Sequence, residues 1–500
     1  MKRCTQDAKG RALMVWGTSS GAGKSLLATA LCRWAAQRGI DVAPYKAQNM
    51  SNNARVVPGP GGGWGEIGAA QYFQALAARV QPTVDMNPVL LKPEGDTASQ
   101  VVCQGQVNEV LSHLPWRERS RYLASAARES FLRLRQRHEL LIIEGAGSPA
   151  EINLAAHDYV NLETARWARD SGHLQGLLVT DIDRGGAFAH LHGTCALLPD
   201  DLRPSLAGFV LNKFRGDAAL LAPGPQMLQR LTGVPTLAVL PMRRDHGLPE
   251  EDGVFDAGLG AAPAGGLNVA IVAYPRISNL DEFQPLKQVR GLRLCWARST
   301  EALAGADWIV LPGSKQVSGD LDWLRQQGLD VEITRHAAAS KRVLGICGGL
   351  QMMGRLLTDP QGIDGPAHDG RPGLGLLPLH TRYVVPKRVL PVQARFGELA
   401  APWQALSGIE APAYEIRTGI TEAPSDAGAR VVLHDELGAA IGWQQGSTLG
   451  VYAHGLFESS TVMRALFGTE VATLDTAFDG LADLIDRHFE PGALDGLMRG

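Results

Sequence analysis

The sequence predicts an α/β protein built as two doubly wound domains with mainly parallel sheets. Continuous apolar runs recur between helical stretches: "ALMVW" (12–16), "LLIIEG" (140–145), "GLLVTDID" (176–183) and "AGFVLNKF" (207–214). Unbroken runs of this kind suit strands covered by helices on both faces. A second series follows with "NVAIVAYP" (268–275), "LRLCWA" (292–297), "DWIVLPGSK" (307–315) and "VLGICGG" (343–349). Between the two lies "AGLGAAPAGG" (257–266), the stretch of small residues that best suits a linker.

With 500 residues the chain has the length for two to four domains with full cores. The expected division is a first domain over 10–256 ending on the edge strand "TLAVLP" (236–241), the linker at 257–266, a second domain over 267–463, and a C-terminal helical tail over 464–500. The tail contains "GLADLIDRHF" (480–489) and no recognisable motif. Hydrophobic residues make up 45% and charged residues 20%, an ordinary globular balance. The formal charge of −3 gives no reason to expect nucleic acid or an anionic membrane as partner. No run approaches eighteen apolar residues, so no membrane span is expected. The first apolar run leads into a glycine loop and reads as a first strand, not a signal peptide. Six scattered cysteines without a C-x-x-C pair exclude a disulfide framework or zinc site and point to a reducing cytoplasm.

The first strand runs into "GTSSGAGKS" (17–25) and then "LLATALCRWAAQRG". Strand, glycine loop and helix in that order form a phosphate cradle: Gly21 and Gly23 let backbone N–H groups approach oxygens, and the helix N-terminus adds positive potential. Lys24 is expected on the terminal phosphates and the Ser25 hydroxyl on Mg²⁺. The first glycine, Gly17, stands one residue earlier than the usual G-x-x-x-x-G-K-[ST] spacing requires, with Thr18 in its place. Partition-type ATPases carry a second lysine where Ser19 stands here. The G-T-x-x-x-x-G-K-[ST] spacing instead resembles the loop of dethiobiotin synthetase-like ligases, which activate a carboxylate with ATP.

Further strand ends carry polar residues, and such ends are where ligands bind in α/β sheets. "VAPYKAQNMSNNA" (42–54) concentrates Lys46, Gln48, Asn49 and Asn52, read as substrate-side residues, with a plain solvated loop as the alternative. Glu144 in "IIEGAGSPAEINL" suits a direct or outer carboxylate for Mg²⁺, and Asp181, Asp183 and Arg184 crowd another strand end. "NKFRGD" (212–217) lacks the spacing of the guanine-reading N-K-x-D, so Asn212 is read as an adenine contact and GTP is not inferred.

In the second half, "LGICGGLQMMG" (344–354) is a strand, a sharp turn and a helix, with Gly345-x-Cys347-x-Gly349 in the spacing of a nucleophile elbow. A cysteine at a helix N-terminus is favoured as thiolate. His454 in "VYAHGLFES" is the expected base, and the backbone N–H groups of Gly313 and Gly348 the expected oxyanion hole. The pattern resembles class I glutamine amidotransferases. In most of that class an acid follows two residues after the histidine; here that residue is Leu456, and Glu458, four later, is a poor substitute. A Cys347–His454 pair without an acid is the expectation.

Taken together, "GTSSGAGKS", "PYKAQNMSNNA", "MNPVLLKP", "EGAGSPAEINL", "DIDRGGAFA", "NKFRGD", "LPGSK", "GICGGLQMMG", "YEIRTG" and "HGLF" resemble the cobyric acid synthase family over nearly the whole chain. One departure is "VVPGPGGGWGEIGAAQ" (56–71), a Pro/Gly insertion read as a loop. The resemblance implies a ligase using ATP, Mg²⁺ and L-glutamine to amidate the b, d, e and g carboxylates of adenosylcobyrinic acid a,c-diamide through acyl phosphates. No residue spacing shows a corrinoid. His190 and His192 are read as structural. The sister cobyrinic acid a,c-diamide synthases and, in a different class, the partition-type ATPases are the alternatives; "QNMSNNA" and "EINL" argue against the first and Ser19 against the second.

Overall fold

The computed structural model describes residues 10–94, 98–243, 246–248, 266–424, 428–470 and 473–499. Apart from Gly266, the expected linker lies outside the described residues. The first half is built on a six-stranded sheet in the spatial order Thr236–Pro241, Leu206–Phe214, His173–Asp181, Arg11–Gly17, Leu140–Glu144 and Val42–Tyr45. Every pairing in it is parallel, and the continuous apolar runs are its fully buried central strands. The chain order reverses on either side of the first strand, so the loops after Gly17, Glu144 and Asp181 open at one edge.

The helix after the glycine loop, α1 (Lys24–Gln37), is apolar on nearly every face, as expected of a helix covered on both sides. The sheet covers one side. The other is covered by Leu474–His488, a helix of the C-terminal tail, whose Phe478, Leu481 and Ile485 share one core with Leu27 and Leu31. Polar contacts frame that seam: Arg33 Nε donates to Asp479 at 2.7 Å and Trp34 Nε1 to Asp486 at 2.7 Å. Beyond it, the Glu490 N–H donates to the Leu237 carbonyl on the edge strand. The tail is therefore part of the first half's core, although it follows the second in sequence. Ile485→Ala is expected to cost roughly 2–5 kcal/mol by leaving a cavity against α1, read as a lower urea midpoint for the nucleotide half.

The second half has a nine-stranded sheet. Leu292–Ala297, Leu267–Val272, Trp308–Leu311, Arg342–Ile346 and Thr448–Val451 are parallel. Beyond them the sheet continues antiparallel through Ala440–Gln445, Arg430–His434, Arg388–Phe396 and Glu410–Arg417. The Pro/Gly insertion forms the tip of a hairpin whose strands, Ala54–Pro58 and Trp64–Gly68, pair in antiparallel register. That hairpin packs against Arg388–Phe396 and Glu410–Arg417 of the other half. Glu66 lies buried between Lys92 of its own half and Lys387 of the other, the latter at 2.6 Å.

Candidate active sites

At the glycine loop, Gly21 has φ 72° and Gly23 φ 99°, conformations that need glycine. A Cβ on Gly23 would also stand 1.9 Å from the Asn212 amide. The Asn212 Nδ2 donates to the Ala22 carbonyl at 2.9 Å, and Lys213 Nζ donates to that of Gly21 at 2.8 Å and to Asp181 Oδ2 at 3.1 Å. Two consecutive residues at a strand end thus brace the loop. Lys24 Nζ bridges the carbonyls of Ser19 and Gly147 at 3.0 and 3.1 Å. Thr18 and Thr180 join their hydroxyls at 2.9 Å.

Glu144 is fully buried and collects polar groups from four directions. Its Oε1 accepts from Ser25 Oγ and Lys46 Nζ, each at 2.8 Å, and its Oε2 from Gln74 and Gln71. Burial alone would raise its pKa, but the Lys46 ammonium and these hydrogen bonds hold it below the ordinary carboxylate value. A hydroxyl and an ionised carboxylate side by side at a phosphate loop fit Mg²⁺, which takes one or two protein oxygens and completes its shell with water and phosphate. Among the described residues no group of three or more His, Cys, Asp or Glu side chains is placed to hold a metal.

The segment expected on the substrate side is not a plain solvated loop. Lys46 and Asn49 are buried, the former held by Glu144 and the latter by Gln71 at 3.2 Å. Gln48 accepts from the Tyr159 hydroxyl. The Asn52 amide nitrogen donates to the Pro93 carbonyl at 3.5 Å, while its Oδ1 is buried with no hydrogen-bond partner among the described residues.

The cysteine elbow has the expected form. Cys347 has φ 51°, a strained value for a side chain with Cβ, between the strand Arg342–Ile346 and the helix Gly348–Met353. The flanking glycines are required by space: a Cβ on Gly345 would meet Met353 at 2.3 Å, and one on Gly349 the Leu311 carbonyl at 1.9 Å. Gly348 lies against Ser314 and Gly313 against the His454 ring, so both expected oxyanion residues border the elbow. The Ser314 hydroxyl donates to Asp320 at 2.7 Å and fixes that border. The other described cysteines form no disulfide; burial pushes the Cys32 thiol far up and leaves it inert.

The expectation of an unassisted pair is corrected by the geometry. The His454 Nδ1 lies 3.1 Å from Glu282 Oε1, and the other oxygen of that carboxylate accepts the Gly455 N–H at 3.1 Å. With Nδ1 so held, Nε2 is left to face the Cys347 sulfur. Burial alone would lower the His454 pKa, but Glu282, and then Cys347, raise it to about 10. Leu456, in the usual acid position, is packed in the apolar core, and Glu458 turns away to Arg55 at 3.0 Å. Glu282 lies in the first turn of the 3-10 helix Leu280–Gln288, which follows the short strand Ile277–Ser278 downstream of Leu267–Val272. No local motif marks it, and 172 residues separate it from His454.

Two sites of this kind have known counterparts. Residues 13–253 match the CobQ/CobB/MinD/ParA nucleotide binding domain, and residues 268–462 the CobB/CobQ-like glutamine amidotransferase domain. The chain is 62% identical over 495 residues to the cobyric acid synthase of Methylibium petroleiphilum, covering 98% of this chain and 97% of that protein. With that of Paracidovorax citrulli it shares 61% over 488 residues, covering 96% and 97%. Likeness this high, running end to end across a phosphate loop and a cysteine elbow, leads to one conclusion: the chain belongs to the cobyric acid synthase family, glutamine amidotransferase ligases of cobalamin biosynthesis.

Proposed function

We propose that the two sites divide an ATP- and glutamine-dependent amidation of the b, d, e and g carboxylates of adenosylcobyrinic acid a,c-diamide. The Cys347 sulfur attacks the side-chain amide carbon of glutamine, and the oxygen that becomes negative is met by the Gly313 and Gly348 N–H groups. The His454 imidazolium gives its Nε2 proton to the departing ammonia, then takes one from the water that cleaves the thioester. Glu282 fixes the ring and offsets the imidazolium charge. In the other half a substrate carboxylate attacks the γ-phosphorus of ATP, giving an acyl phosphate and ADP; ammonia then displaces inorganic phosphate to leave the amide. Lys24 steadies the transferring phosphate, Asn212 braces the phosphate loop through the Ala22 carbonyl, and Lys46, Gln48, Asn49 and Asn52 border the substrate. Ser25 and Glu144 would hold Mg²⁺, which when bound neutralises phosphate charge.

The observation that carries this reading is the Cys347–His454–Glu282 arrangement in one chain with a braced phosphate loop. Purified protein given ATP, glutamine and a panel of corrinoid acids is expected to convert the a,c-diamide to the hexaamide. Product confined to the a and c positions would move the assignment to the diamide synthases. Glu282 has its own test: Glu282→Gln should lower glutaminase kcat roughly 10²-fold, since an amide holds the ring without its charge. His454 holds its proton to about 10 because of that carboxylate and the sulfur. With the charge gone the proton leaves at lower pH, so the basic limb of kcat/KM moves down in pH. An unmoved limb with activity within tenfold would restore the unassisted pair.

A further inference from the structure

Resting on the amidotransferase reading above, we propose that Arg55 of the nucleotide half is a positioning residue for the glutaminase site, holding the segment Asn279–Glu282 that presents the acid to His454. Arg55 lies on the hairpin strand Ala54–Pro58, and its guanidinium is buried between the halves, over the Tyr72 and Phe73 rings of its own half and the Tyr414 ring of the other. Its Nε donates to Asp281 Oδ2 at 2.7 Å, with a second bond from Nη2 to the same oxygen. Its Nη1 donates to Glu458 Oε2 at 3.0 Å. The neighbouring backbone docks on the same segment: Leu280 N–H donates to Asn53 Oδ1 at 2.9 Å, and Ala54 N–H to Asn279 Oδ1 at 3.5 Å.

Two further contacts carry the effect to the imidazole. The guanidinium carbon lies 5.1 Å from the centre of the Tyr414 ring, and that ring stacks on His454 at 5.3 Å and 21°. Tyr414 and His454 also exchange backbone hydrogen bonds. Within its own half the acid segment is steadied by Phe283 against Phe457, at 6.0 Å, and by the Asn279 amide on the Tyr414 hydroxyl. Those contacts place the segment but leave the buried Asp281 carboxylate uncompensated beside Glu282, with the partly exposed Glu458 next to it. A buried carboxylate needs a paired cation, and the cation here comes from the other half. Without it, repulsion among the three carboxylates shifts the segment, and a displacement of about 1 Å at a catalytic group can cost 10²-fold in rate. Arginine suits the task because its fork reaches both carboxylates at once, which a lysine does not.

The test compares Arg55→Ala and Arg55→Lys in the full chain with wild type, measuring glutaminase turnover and ammonium-driven amidation side by side. Arg55→Ala is expected to lower glutaminase kcat roughly 10²-fold with KM for glutamine within about threefold, and Arg55→Lys to lie between the two. Ammonium-driven amidation stays within about twofold in both. Millimolar methylguanidinium restores part of the lost kcat in Arg55→Ala and none in Arg55→Lys. Glutaminase kcat within twofold of wild type in Arg55→Ala overturns the proposal. So does equal loss of both activities in both variants, which marks Arg55 as a general interface brace. Failure of the wild type itself to release ammonia from glutamine would sink the amidotransferase reading instead.

Discussion

Cys347→Ala is expected to abolish glutamine-dependent amidation, by roughly 10⁴-fold or more, while amidation driven by a high concentration of ammonium salt continues. The size follows from the chemistry: without the sulfur no thioester forms, and neither His454 nor the oxyanion N–H groups have an attacking atom to assist. The selectivity follows from the architecture. Cys347 and its partners sit on the second sheet, whereas the phosphate loop and Glu144 sit on the first. The acyl phosphate made in the first half reacts with ammonia whatever its source. Alanine at 347 is also sterically mild, since the site already accommodates a Cβ at φ 51°. Product analysis with glutamine or ammonium as sole nitrogen donor decides the matter. Equal loss with both donors would show that Cys347 serves the fold rather than the chemistry.

Features written in contiguous residues were legible in the sequence. The parallel strands could be read because both their faces are covered, which leaves runs such as "LLIIE" without polar interruption. The glycine loop and the cysteine elbow were legible because each is a single turn whose glycines answer local steric demands. The antiparallel strands Arg388–Phe396 and Glu410–Arg417 were not. They are half-covered and carry Pro391 and Pro412, so neither a continuous run nor clean alternation marks them. The acid on His454 was missed for a different reason: class habit placed it two residues downstream, whereas the fold delivers Glu282 from a 3-10 turn far upstream. Arg55 was hidden by its setting next to a Pro/Gly stretch that reads as loop. The tail reads as a helix, but nothing in it says that it covers α1.

Lys24→Ala should remove product formation with glutamine and with ammonium alike, by roughly 10²-fold or more. Phosphoryl transfer leaves little covalent work to the protein, so catalysis rests on placing positive charge where the γ-phosphate oxygens gather negative charge. Lys24 is the first residue of α1 and is 7% exposed, where a charge acts with little screening by water. Its Nζ bridges the Ser19 and Gly147 carbonyls at 3.0 and 3.1 Å, so it also ties the loop to the segment after Glu144. Both effects point the same way: the variant loses transition-state charge and a brace on the cradle. Glutamine hydrolysis, whose Cys347, His454 and Glu282 lie in the other half, should change much less. Binding of a non-hydrolysable ATP analogue separates the two contributions, because the lost brace weakens it and the lost transition-state charge does not. Near-normal turnover with either nitrogen donor would remove the phosphate loop from the reaction. Matched loss of glutaminase would instead show that the nucleotide site governs the amidotransferase through the interface that Arg55 crosses.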